Sequence, residues 1–159
     1  MDPQQRLLLE VIYEGFENGT SMLSSYPSAR SQPIAGIAMA KIMGSSTACF
    51  VGCFNADYTD LLLRDPDCVP MYQCTNSGQS RAMMANRVSY FFDMRGPSVT
   101  VDTACSGSLT ALHLACQSLR TGDASMAVAA GVNVILSHEF MSTMTMMKLV
   151  GKTLAFRHI

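Results

Sequence analysis

The chain has 159 residues, 48% hydrophobic and 14% charged, a balance that describes a globular chain with a buried core and excludes a disordered one. Its 11 basic and 12 acidic residues nearly cancel, and no Lys/Arg stripe tracks a phosphate backbone, so nucleic acid is not an expected partner. It opens Asp2-Pro3-Gln4-Gln5-Arg6 rather than with a basic segment and an apolar run, and no uncharged apolar stretch reaches bilayer length, which predicts a soluble, cytoplasmic protein with no membrane partner.

Taken in order, the first element is a helix: Asp2 caps it, Pro3 takes its first position, and Leu8, Val11, Ile12 and Phe16 recur at helical spacing until Asn18-Gly19 stops it. Residues 19–34 then turn to Ser, Pro, Gly and Thr without periodicity, which predicts a loop or insertion. Thr47 to Phe54 reads as a buried strand with Cys49 and Cys53 on one face, packed as core hydrophobes. Asp57 starts a short helix through Leu63, broken by Asp65-Pro66-Asp67, and a second helix is expected from Gln79 to Phe92.

A strand from Ser98 to Thr103 follows Gly96-Pro97. Small and apolar residues from Cys105 to Leu119 then predict a buried helix ended by Thr121-Gly122-Asp123, and Met126 to Ile135 a strand interrupted by Gly131. Alternating strands and helices imply an α/β architecture with helices packed on a largely parallel sheet. The six cysteines, in a chain without a secretory signal, read as reduced thiols, and no metal spacing occurs among them. Methionines are numerous, 13 in all, and Met141, Met144, Met146 and Met147 cluster late; they read as core packing rather than metal binding.

Chemistry concentrates where strand meets helix, in Val101-Asp102-Thr103-Ala104-Cys105-Ser106-Gly107-Ser108. A thiol at a helix N-terminus faces unpaired N–H groups and the positive end of the dipole, which favours a thiolate there. Ala104, Ser106 and Gly107 keep the approach open, in the manner of a nucleophile elbow. On residues alone, Cys105 is either a nucleophile or a small buried hydrophobe.

That segment resembles the D-T-A-C-S-S-S-L signature of type I polyketide ketosynthases, with Gly107 in place of the middle serine. Two more stretches resemble family landmarks: Met1-Asp2-Pro3-Gln4-Gln5-Arg6-Leu7-Leu8-Leu9-Glu10, and Asn86-Arg87-Val88-Ser89-Tyr90-Phe91-Phe92-Asp93-Met94-Arg95-Gly96-Pro97-Ser98. The likeness covers residues 1–18 and about 34–148, leans toward fungal iterative synthases, and implies that residues 1–148 are a partial β-ketoacyl synthase N-terminal domain with a non-matching tail at 149–159.

The implied fold is thiolase-like, with this chain as its first half and the nucleophile Cys105 at the N-terminus of a buried helix. The implied chemistry is acyl transfer from a carrier-protein thioester to Cys105, then decarboxylative condensation with a malonyl-type extender. Acyl carrier protein, acyl and malonyl thioesters and a second copy in a homodimer are the implied partners. Substrates ride on phosphopantetheine, with no cofactor or metal bound directly. The region from Gly78 to Met84 resembles one near the dimer interface and acyl pocket of the family, and an ordinary core helix is the alternative.

Family members take two further histidines from H-G-T-G-T and N-I-G-H contexts, and neither motif occurs among these 159 residues. His113 follows Cys105 by eight residues on the expected helix, about 12 Å along its axis at 1.5 Å per residue. His138, in Ser137-His138-Glu139-Phe140, reads as a surface-loop residue, and His158 lies in the non-matching tail. A second function class is therefore kept open: a truncated half-domain that serves as an interaction module or is the product of a broken gene.

Overall fold

The computed structural model describes residues 1–18, 36–64, 67 and 78–148. The expected insertion at 19–34 and the tail at 149–159, with His158, lie outside the described residues. At the centre is β1 (Thr47–Gly52), buried at all six positions, as a parallel strand covered on both faces must be. It pairs in parallel with β2 (Ser98–Val101) on one side and β3 (Met126–Gly131) on the other, giving the order β2-β1-β3. In register, Gly52 stands level with Val101 and with Gly131, so the three strands end together.

Side-chain alternation along β1 divides the core in two. Cys49, Val51 and Cys53 face α1 (Pro3–Asn18) and α4 (Met83–Phe91), where they pack with Leu8, Ile12, Phe16, Met84, Val88 and Phe92. Each such side chain removed fully from water contributes about 1.5–3 kcal/mol. Phe16 and Phe92 meet edge to face at 5.2 Å, the geometry aromatic quadrupoles favour. On the other face Ala48 and Phe50 pack against Ala111, Ala115 and Ala124, and the small alanines let α5 (Gly107–Thr121) lie close to the sheet. The result is three layers: α1 and α4, the parallel sheet, then α5.

The first helix is set by its own N-terminus, since Asp2 Oδ1 accepts from the Gln4 amide at 2.8 Å. Both glutamines that follow are buried. Gln4 Nε2 donates to the Asn55 carbonyl at 3.1 Å, its Oε1 accepts from Val134 N–H at 3.1 Å, and Asn55 Nδ2 donates to the Val134 carbonyl at 2.7 Å. Backbone beyond the strand ends is thereby satisfied by side chains rather than by a ladder. Asp57, at the start of α3 (Asp57–Leu63), does the same further out, its Oδ2 accepting from the amides of Leu136 and Ser137, each at 3.0 Å. Burial alone would push the Asp57 carboxyl up, but hydrogen bonds from Ser137, Asn55 and Leu136 outweigh it and hold the group below its ordinary value.

Several boundaries differ from expectation. The strand expected to reach Ile135 ends at Gly131, because Val134 is held by Gln4 and Asn55. The helix expected from Gln79 starts only at Met83; the Gly78 carbonyl accepts from Asp2 N–H at 2.8 Å, and 78–82 run as turns. Within Gly78–Met84, Met84 is completely buried in the chain's own core. Two helices lie outside the expected set, α2 (Met39–Ile42) and α6 (His138–Met146). His138 therefore lies at a helix start rather than in a loop, behind an N-cap in which Ser137 Oγ accepts from Glu139 N–H at 3.2 Å. Met146 and Met147 are exposed, so packing does not account for them.

Candidate active site

Where the strands end, glycine lets the helix layer touch the sheet. A Cβ on Gly52 would stand 2.3 Å from the carbonyl carbon of Gly107, and one on Gly131 would stand 2.7 Å from Ser108 Cβ. The start of α5 is thus seated on the C-terminal ends of β1 and β3, the side on which open parallel sheets carry their sites. The connection from β2 must turn sharply to reach it. It does so through a single 3-10 turn, Ala104–Ser106, entered by Ala104 in the left-handed region at φ 49°. An alanine pays about 1–2 kcal/mol for that conformation, so surrounding bonds must hold it.

Those bonds are local and specific. Asp102 Oδ1 accepts from the Ala104 amide at 3.2 Å, the self-bonding that lets aspartate start a turn. Ser106 Oγ donates to the Thr103 carbonyl at 2.8 Å, and Thr103 Oγ1 and Thr110 Oγ1 share a hydrogen at 3.0 Å, tying the turn to the first helical turn of α5. On the other side Asp102 Oδ2 pairs with Arg81 Nη1 at 2.7 Å, and the same nitrogen donates to the Phe54 carbonyl at 2.7 Å.

Cys105 sits inside this turn and is exposed. It borders a cleft of about 290 Å³, lined also by Gly52, Cys53, Phe54, Ala104, Gly107, Ser108, Gly131, Val132 and Asn133. The expected strand-to-helix placement is met with three differences. Regular α-helix begins two residues after the cysteine, at Gly107, and α5 is buried only along one face, with Leu109, Leu112 and Leu119 exposed on the other. The Asp102 turn ends β2 at Val101 instead of Thr103.

The remaining described cysteines separate cleanly. Cys49 and Cys53 are buried, and desolvation pushes their thiols up to about 12 and about 11; Cys116 is exposed on α5. His113 and His138 are both exposed, and neither lines the cleft. What sequence reasoning missed is Arg81 and the role of Asp102. An aspartate two residues ahead of Ala104 is a legible turn signal, but nothing local points from Arg81 to a partner 21 positions away.

No helix among the described residues is long and apolar enough to cross a membrane. Residues 1–158 match the family model described as "Beta-ketoacyl synthase, N-terminal domain". The chain is 59% identical over 151 residues to a highly reducing polyketide synthase of Talaromyces stipitatus, covering 95% of this chain and 5% of that protein. It is 56% identical over 159 residues to a reducing polyketide synthase of Cochliobolus heterostrophus, covering 98% of this chain and 6% of the other. Among solved structures it superposes on the ketosynthase from module 6 of the bacillaene synthase of Bacillus subtilis with a TM-score of 0.72 at 27% identity, covering 96% of this chain and 22% of that one. A ketosynthase domain of oxazolomycin biosynthesis from Streptomyces albus gives 0.67 at 34% identity, with 96% and 24% covered.

Proposed function

The chain belongs to the β-ketoacyl synthase family, as an N-terminal portion of its thiolase-like α/β fold, and on that footing we propose that Cys105 is the acyl-accepting nucleophile of a polyketide ketosynthase. The observation that carries the proposal is the left-handed Ala104 turn, which delivers an exposed cysteine into a cleft at the strand ends while Cys49 and Cys53 stay buried. In the proposed step the Cys105 sulfur attacks the carbonyl of an acyl phosphopantetheine thioester on a carrier protein. The carbonyl π pair moves to oxygen, then returns as the carbon–sulfur bond to pantetheine breaks; the departing thiolate takes up the proton that Cys105 gave up. Amide donors at the start of α5 stabilise the transient oxyanion in part.

Condensation asks for more. A malonyl-type extender must lose carbon dioxide, and the resulting carbanion must attack the new thioester, so negative charge has to be stabilised at two places. The H-G-T-G-T and N-I-G-H motifs are not among these residues, and neither His113 nor His138 lines the cleft. For these 159 residues alone the reading is therefore acylation without condensation, with the whole reaction and the homodimer assigned to the larger domain. Incubation with acyl and malonyl carrier proteins tests this: a thioester on Cys105 without β-ketoacyl product is expected. Condensation that depends on Cys105 would overturn the division of labour.

The alternative, a half-domain acting only through association, is favoured by one feature. Leu109, Leu112 and Leu119 form an exposed apolar stripe on α5. A chain that associates through that stripe and never acquires an acyl group would be this second kind of protein.

A further inference from the structure

Resting on the reading of Cys105 as acyl acceptor, we propose that Arg81 is a positioning residue for that cysteine, acting through Asp102 and the Ala104 amide. The three groups form one continuous tie. Arg81 Nη1 is anchored on the Phe54 carbonyl just beyond β1, and from there reaches Asp102 Oδ2, both at 2.7 Å. Asp102 spends its other oxygen on the Ala104 N–H at 3.2 Å. Ala104 is the left-handed residue that aims Cys105 at the cleft.

Magnitudes decide what this tie is for. The two charged side chains are 45% and 49% exposed, and an ion pair so open to water contributes little to stability. Its use is orientation: a carboxylate pinned on one oxygen keeps the other facing the amide, whereas an unpinned aspartate on a turn samples several rotamers. The amide contact is long for a bond to a charged acceptor, whose usual range is about 2.7–2.9 Å, so it depends on that orientation. Without it Ala104 relaxes toward negative φ, and Cys105 turns out of the cleft.

The test compares Cys105 with Cys116, a second exposed cysteine in the same molecule. Short iodoacetamide time courses, resolved by fragmentation mass spectrometry, give the ratio of the two rates. Arg81→Met is expected to lower that ratio about tenfold, equivalent to about 1.4 kcal/mol. Asp102→Ala should lower it equally, and the double variant no further, because both break one chain. Arg81→Lys should recover to within about threefold, since one nitrogen makes both bonds and an ammonium keeps part of the tie.

An unchanged ratio in Arg81→Met, or a double variant whose loss is the product of the single losses, overturns the proposal. So does labelling that spreads to Cys49 and Cys53, which marks general loosening. A parallel arm follows acylation by a small acyl thioester, where the maximal rate should fall about tenfold with the half-saturating concentration unchanged. If the unaltered chain takes no acyl group on Cys105 while the alkylation ratio still tracks Arg81, the acyl-acceptor reading fails and the positioning role stands.

Discussion

Gly52 and Gly107 are two sides of one contact, and the structure predicts that they will not tolerate alanine equally. A Cβ on Gly52 would lie 2.3 Å from Gly107 C and 2.6 Å from both Gly107 O and Ser108 N, all backbone atoms that cannot rotate away. Carbon atoms rest comfortably at about 3.5–4.0 Å, so the helix start and strand end would have to part by roughly 1 Å or more. A Cβ on Gly107 meets Gly52 Cα at 3.3 Å and Gly52 C at 3.7 Å, which small shifts accommodate. Gly52→Ala should therefore cost about 3 kcal/mol, the upper end for over-packing. Gly107→Ala should cost under about 0.5 kcal/mol, since its Cβ asks for shifts of only a few tenths of an ångström. With a urea slope of about 2 kcal/mol per molar, the first variant loses about 1.5 M in unfolding midpoint and the second under about 0.3 M. Equal costs for the two, or a neutral Gly52→Ala, would refute the seating of α5 on the end of β1.

Three further outcomes follow from the same geometry. Because hydrogen bonding holds Asp57 below its ordinary value, its stabilisation is complete above about pH 4 and is lost as pH falls through the lowered value; Asp57→Asn should flatten the stability slope in that acid limb, read by urea melts from pH 2 to 6. Gln4→Leu strands the Val134 amide and the Asn55 carbonyl and should cost about 2–3 kcal/mol, visible as a lower midpoint; a loss under about 0.5 kcal/mol would contradict the buried tie. Brief alkylation of the native chain should label Cys105 and Cys116 and spare Cys49 and Cys53, with mass spectrometry assigning the sites, and early labelling of either buried thiol would speak against the packing of β1.

Local signals were read well from sequence and long-range ones were not. The first helix starts at Pro3 because an aspartate cap and a proline act within its first turn. α3 runs from Asp57 to Leu63 as expected, and the apolar run expected as a strand from Thr47 to Phe54 is one over Thr47–Gly52. The site was legible as a cysteine between strand and helix. Its supports were not, since Arg81 meets Asp102 across 21 positions and Gln4 reaches Val134 across 130, where no local pattern pairs them. The end of β3 depends on that same glutamine, so it could not be placed locally. α6 did carry a signal, Ser137 ahead of Glu139, but its run of Ser, Thr and Met lacks the strong apolar periodicity that identifies a helix.

Whether Cys105 receives an acyl group is open to one direct measurement. The chain is incubated with an acyl N-acetylcysteamine thioester, digested, and the mass increment located by fragmentation, with Cys105→Ala alongside. A single acyl increment on Cys105, removable by hydroxylamine and absent from Cys105→Ala, is the predicted result. An increment that persists in Cys105→Ala, or that falls on Cys116 as readily as on Cys105, would contradict it.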